Sequence, residues 1–119
     1  RFQKRKSFYD MKLLWQSELN KAKQRIVRNN DFMFGVVDVI DTEKVPFIYE
    51  WIWALDNNGL YKVEKQGKIG YIDTLGCTIV PFLYNNIDEF GQNGLARATR
   101  DNGYVYIDKK GCEYDYYCY

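Results

Sequence analysis

The chain has no histidine, only two prolines and three cysteines in 119 residues, and no apolar run approaching the 18 or more residues of a membrane-spanning helix. Without histidine it lacks the side chain that titrates near neutral pH, and neither a glycine-rich phosphate loop nor a serine nucleophile elbow compensates. Catalysis is therefore not expected, and no cofactor is implied. Cys77, Cys112 and Cys118 form no C-x-x-C pair, which with the missing histidine leaves no zinc site. An odd cysteine count in a short chain argues against a disulfide framework and favours a reducing, cytoplasmic compartment. Cys77 and Cys112 do occupy equivalent repeat positions (below), so a bridge between them stays open as the alternative. No signal peptide is visible, and the first residue is Arg1, so the natural N-terminus is expected to have been removed or to lie upstream.

Aromatic residues are abundant. Eleven Tyr, seven Phe and three Trp exceed the usual share and suit β-structure with stacked layers. Charge is divided unevenly. Residues 1–28 hold nine Lys and Arg against Asp10 and Glu18, whereas residues 29–119 hold eight basic and fourteen acidic side chains. A basic head on an acidic body attracts itself. The body repels phosphate, so nucleic acid is not the expected partner.

Two ungapped copies of one pattern lie 35 residues apart. Val45 to Cys77 and Val80 to Cys112 are identical at 13 of 33 aligned positions, among them Pro46, Tyr49, Ile52, Gly59, Tyr71, Asp73 and Gly76. Self-similarity at such a period marks a repeat architecture in which each unit buries its apolar face against the next. At the same offset Phe34-Gly35-Val36-Val37-Asp38 aligns with residues 69–73 and with Tyr104-Val105-Tyr106-Ile107-Asp108, adding a partial copy at 32–44 to full copies at 45–79 and 80–114. The repeat domain is thus read as 31–119.

Ahead of it, Phe8, Met11, Trp15, Leu19, Ala22 and Ile26 recur at spacings of three and four and predict a basic helix over 7–28, within an N-terminal segment 1–30. Ser7 and Asp10 suggest its cap and Asn29-Asn30-Asp31 its stop. The helix is expected to pack on the β-body as a cap, the alternative being the end of a larger helical region or a surface that docks a partner.

Within each repeat, Asn58-Gly59 and Asn93-Gly94 mark a tight turn before a strand. Gln66-Gly67 and Asn102-Gly103 mark the following hairpin turn. The glycine shifts by one place between copies, which predicts a local register adjustment. The return strand ends in Asp73-Thr-Leu-Gly76 or Asp108-Lys-Lys-Gly111, a turn with Asp first and Gly last. A third strand then meets Pro81, which marks a strand end or edge. The Asp38, Asp73, Asp108 column is read as turn capping. A calcium ladder would need a denser oxygen-ligand pattern than these residues supply.

These residues resemble the WG-repeat family of bacterial proteins, most closely over Gly59 to Phe90 and in all over residues 32–114. The signature Trp is replaced by Phe34, Ile69 and Tyr104. The signature Gly is kept at Gly35 and Gly70 but is Val105 in the last copy, a degenerate terminal unit. The resemblance implies an interaction or envelope-associated scaffold and supplies no catalytic signature.

The reading is therefore a mainly β protein of tandem antiparallel hairpins with a helical cap, a noncatalytic module that binds a protein partner. Its rivals are a structural terminal or spacer domain and a carbohydrate binder. The candidate surface is Tyr49, Trp51 and Trp53, alternate residues on a predicted strand, whose equivalents Asn86 and Asp88 show that the repeat does not need tryptophan there. The other reading of the two indoles is contact with the N-terminal helix. The tyrosine-rich tail 114–119 is either a last strand or a segment normally covered.

Overall fold

A computed structural model of the chain describes residues 13–101 and 103–114. They form three four-stranded antiparallel sheets of one design. The first contains β1 (Leu13–Gln16), β2 (Gln24–Asn29), β3 (Phe34–Asp38) and β4 (Glu43–Tyr49). The second contains β5 (Trp51–Ile52), β6 (Tyr61–Lys65), β7 (Lys68–Ile72) and β8 (Thr78–Tyr84). The third contains β9 (Asn86–Ile87), β10 (Leu95–Arg100), β11 (Gly103–Asp108) and β12 (Glu113–Tyr114). In each, spatial order follows chain order.

Each sheet passes to the next through one nearly continuous strand. β4 bends at Glu50 and becomes β5, and β8 bends at Asn85 and becomes β9. Two apolar cores fill the junctions. The first joins Phe34, Val36, Val45 and Tyr49 to Ile52, Tyr61, Val63 and Ile72. The second joins Ile69, Tyr71, Val80 and Tyr84 to Ile87, Ala96, Ala98 and Ile107. Neighbour-on-neighbour burial of this kind is what the 35-residue period demands.

The predicted N-terminal helix does not form over its described part, residues 13–28. Among the described residues there is no helix; residues 13–28 of the predicted span hold β1, a turn and most of β2, while residues 7–12 lie outside the described residues. The apolar stripe does not form one face, since Ile26 is buried in β2 but Trp15 and Leu19 are about half exposed. Pairing of β2 with β3, from Gln24↔Asp38 to Arg28↔Phe34, overrides the helical spacing. The chain on both sides of position 30 thus forms one hairpin, and the described residues hold three such sheets.

This first unit escaped an ungapped comparison for two reasons. Val27 pairs with Gly35 as Val63 pairs with Gly70, so the loop between β2 and β3 is one residue longer than its counterpart. Lys23, with φ of 61°, also stands where Gly59 (76°) and Gly94 (81°) stand in later units, and so hides the turn signal.

The expected register adjustment is also absent. Lys65 pairs with Lys68 and Arg100 with Gly103, each across two residues, so Gly103 opens a strand and is not a turn residue. Gln66 (φ 53°) and Gly67 (φ 80°) both take the left-handed backbone that a two-residue hairpin of type I′ requires. Pro46 and Pro81 lie within β4 and β8, both at sheet edges, where no ladder donor is missed.

The aspartate column caps turns. Oδ1 of Asp38 accepts from the amides of Ile40 and Thr42 (3.0 and 2.9 Å), Oδ1 of Asp73 from Leu75 and Cys77 (both 2.9 Å), and Oδ1 of Asp108 from Lys110 and Cys112 (2.9 and 3.0 Å). Asn20, Asn29 and Asp56 make the same pair of bonds two and four residues ahead. Asn and Asp serve equally, so geometry and not charge is required. Asp73→Asn is accordingly expected to leave the urea midpoint nearly unchanged, and Asp73→Ala to cost about 1–2 kcal/mol.

Candidate functional site

Of the three predicted surface residues, the structure brings two together. Trp51 and Trp53 are 45% and 37% exposed, with ring centroids 6.3 Å apart in an edge-on arrangement. Tyr49 is only 3% exposed and belongs to the first core, its ring 6.0 Å from that of Phe82. Alternation fails between them because the strand bends at Glu50. Val45 and Tyr49 point inward before the bend, and Ile52 does so after it. Among the described residues neither tryptophan packs on a helix.

The indoles end a file of aromatic rings that crosses from the first sheet to the second. Trp15 meets Phe34 at 6.3 Å, and Phe34 meets Trp51 at 5.0 Å. Two cations border it: Arg28 lies 4.9 Å over exposed Phe32 and 5.7 Å from Phe34, and Lys62 Nζ lies 5.0 Å over Trp53. Lys62 also donates to the Ile87 carbonyl at 2.6 Å. Burial lowers its ammonium pKa, against the opposing pull of Asp88 and Glu89.

Sequence reasoning missed Trp15, Phe32, Arg28 and Lys62. Trp15 and Arg28 are brought together by cross-strand pairing, Trp15↔Arg28, where the spacing predicts a helix, and Lys62 reaches Trp53 from β6, which pairs with β5. The corresponding place in the third sheet is polar. Asn86 donates to Asp88 at 3.2 Å, and Asp88 accepts from Arg97 Nε at 3.2 Å.

The remaining predicted positions serve the fold. Phe34, Gly35, Gly70 and Tyr71 lie at unit junctions, and Gly59, Gly76, Gly94 and Gly111 take left-handed turn positions. Tyr106 pairs with Tyr114 at the final edge, and the Tyr114 hydroxyl donates to Asp108 at 2.8 Å. Cys77 and Cys112 are exposed free thiols; Cys118 and the rest of the tail beyond Tyr114 lie outside the described residues. Among the described residues no three His, Cys, Asp or Glu side chains gather as a metal site, and no helix is long and apolar enough to cross a membrane.

The profile of the WG containing repeat matches residues 34–68 and again 69–104, well over half of the chain, with units that start at Phe34 and Ile69. The chain belongs to the WG containing repeat family. No curated protein matches it significantly. The WG units begin where the family's Trp would stand, at the start of β3 and β7, and each matched unit therefore runs from one sheet into the next.

Burial raises the phenol of Tyr71 to about 12, with added repulsion from Asp56, Glu89 and Asp88, and raises that of Tyr84 further in the same direction. A raised folded value means that the neutral phenol is favoured by folding. Its contribution is whole below the unfolded value of about 10 and is lost as pH rises toward 12. Stability is thus expected to fall between pH 10 and 12, and the tyrosinate absorbance of these two residues to develop only with that unfolding.

Proposed function

We propose that this WG-repeat chain is a noncatalytic binding module that engages a protein partner through the file of rings formed by Trp15, Trp51 and Trp53. The observation that carries this reading is the contrast between units. Trp51 and Trp53 stay more than one-third exposed at places where the next unit uses Asn86 and Asp88. Scattered exposed apolar residues are ordinary, but a contiguous aromatic patch rimmed by Arg28 and Lys62 has the composition of an interface hot spot. The large flat side chains lose little rotamer entropy on binding, which favours them as anchors.

The test is capture from the source cell followed by affinity measurement with the purified partner. Trp51→Ala/Trp53→Ala is expected to weaken binding by at least about tenfold per lost anchor, while the urea midpoint moves little. Full retention of the partner by this variant excludes the face. No partner at all would favour a structural spacer whose aromatic file is inert.

A further inference from the structure

The two junctions between sheets carry the same loops but treat them differently. At the first junction the loop before β2 is tied to the second sheet. Lys21 Nζ donates to Asn57 Oδ1 (3.1 Å), Asn20 Nδ2 to the Tyr61 hydroxyl (2.8 Å) and Gln24 Nε2 to the Thr74 carbonyl (2.9 Å). At the second junction the equivalent loop precedes β6, where Asp56 replaces Asn20 and Leu60 replaces Gln24. Asp56 spends Oδ1 on its own loop amides. Among the described residues no side-chain hydrogen bond joins this loop to the third sheet.

A cleft of about 560 Å³ remains there, walled by Trp53, Tyr71 and Phe90 with Lys62, Glu89 and Lys109 at its margins. Its size falls within the roughly 300–1,000 Å³ of small-molecule sites.

Three features define what fits. Trp53 lines the cleft with a partly exposed indole whose ring Lys62 Nζ covers on one side. Tyr71 is 3% exposed, yet its hydroxyl has no hydrogen-bond partner among the described residues, whereas those of Tyr61 and Tyr84 are both bonded, to Gln24 and Glu113. That hydroxyl is not sealed from solvent, so it is free to donate to a molecule that enters the cleft. The side chains of Glu89, Asn58 and Gln92 likewise make no hydrogen bond among the described residues and line the same cleft. Charges there offset one another, Lys62 and Lys109 against Asp56 and Glu89, so neither an anion nor a cation is selected.

An uncharged molecule with one apolar face and a rim of hydroxyls matches this set. We propose that the cleft between the second and third sheets binds a saccharide, one ring stacked on Trp53 and its hydroxyls met by Tyr71, Glu89, Asn58 and Gln92. This inference stands apart from the protein-binding reading, although Trp53 belongs to both surfaces.

The test is an NMR titration of the full chain, following the three indole N–H signals, with cellotetraose, chitotetraose, maltotetraose and mannotetraose up to about 10 mM. At least one sugar is expected to shift the Trp53 signal saturably while Trp15 stays in place. Glu89→Gln and Tyr71→Phe are each expected to weaken that binding roughly tenfold, the cost of one lost hydrogen bond to a charged or buried group. Glu89 is a loop residue, so its variant decides if Tyr71→Phe fails to fold. No saturable shift with any of the four sugars overturns the assignment. So does binding that Trp51→Ala abolishes while Glu89→Gln leaves it intact. In either outcome the partner-capture experiment on the Trp51→Ala/Trp53→Ala variant is unaffected.

Discussion

Tyr61→Ala is expected to lower the free energy of unfolding by about 3–5 kcal/mol, the range found when a large buried aromatic side chain is truncated. Tyr61 is fully buried in the first core. Its hydroxyl donates to Gln24 Oε1 at 2.7 Å and accepts from Asn20 Nδ2 at 2.8 Å, while Gln24 passes on a bond to the Thr74 carbonyl. One side chain therefore fills the junction between the first two sheets and closes its polar bridge. Tyr61→Phe separates the two roles. It keeps the ring, leaves Gln24 and Asn20 short of a partner, and is expected to cost about 1–3 kcal/mol.

The third unit carries Ala96 at this place, and bulk at the two junctions is exchanged. Val36 faces the first junction with Tyr61, and Tyr71 faces the second with Ala96. Alanine at 61 meets no such compensation and leaves a cavity. Urea unfolding followed by far-UV circular dichroism measures both variants, and a loss below about 1 kcal/mol for Tyr61→Ala would show that the junction does not hold the sheets together.

What was legible in the chain follows from which residues the backbone constrains. Asp73 with Gly76 and Asp108 with Gly111 announced their turns because few other residues satisfy that geometry. Val45, Val80, Ile72 and Ile107 announced the core because the repeat preserved them. The first unit stayed hidden because Lys23, Gln24 and Arg25 replace the Gly-Leu-Tyr of residues 59–61, and its longer hairpin breaks the 35-residue offset. Gln24 shows why the replacement is tolerated, since it is buried but bonded at both ends of its amide.

At the candidate surface, Trp51 and Trp53 were visible as departures from the repeat. Trp15 was not, because its place beside Phe34 depends on strands β1 to β3 being paired, which no linear spacing records. Tyr49 misled because two-residue alternation holds only along an unbent strand, and the chain changes sheets at Glu50. The open cleft was invisible for a related reason: it lies beside a loop, before β6, that makes no side-chain bridge to the third sheet among the described residues, whereas the equivalent loop before β2 is bridged to the second.

Gly70→Ala carries the other large expected effect, a loss of about 3 kcal/mol from a single added methyl group. A Cβ there would lie 2.5 Å from the Val80 carbonyl oxygen and 2.9 Å from Phe82 Cδ1. Register along β7 and β8 skips at this residue, from Ile69↔Tyr84 to Tyr71↔Val80, so the crossing strand presses on the glycine where it bulges. Phe82 has little room to retreat, because its ring packs 6.0 Å from Tyr49 of the first sheet and lies 5.7 Å beneath Lys65 Nζ.

Gly35 repeats the arrangement, with an added Cβ 2.7 Å from Phe47 Cγ and 2.8 Å from the Val45 carbonyl oxygen. In an unobstructed strand, alanine is favoured over glycine by about 0.5–1 kcal/mol, so a large loss measures the clash itself. Gly103→Ala supplies that comparison, since a Cβ there meets nothing within 4 Å, and it is expected to be neutral or to stabilise by up to about 1 kcal/mol. Val105 takes the same place in the third unit. There the described part of β12 pairs with Tyr106 and Ile107, and the equivalents of Val80 and Phe82 lie outside the described residues. The glycine at positions 35 and 70 is therefore required by the strand that crosses it, β4 over Gly35 and β8 over Gly70.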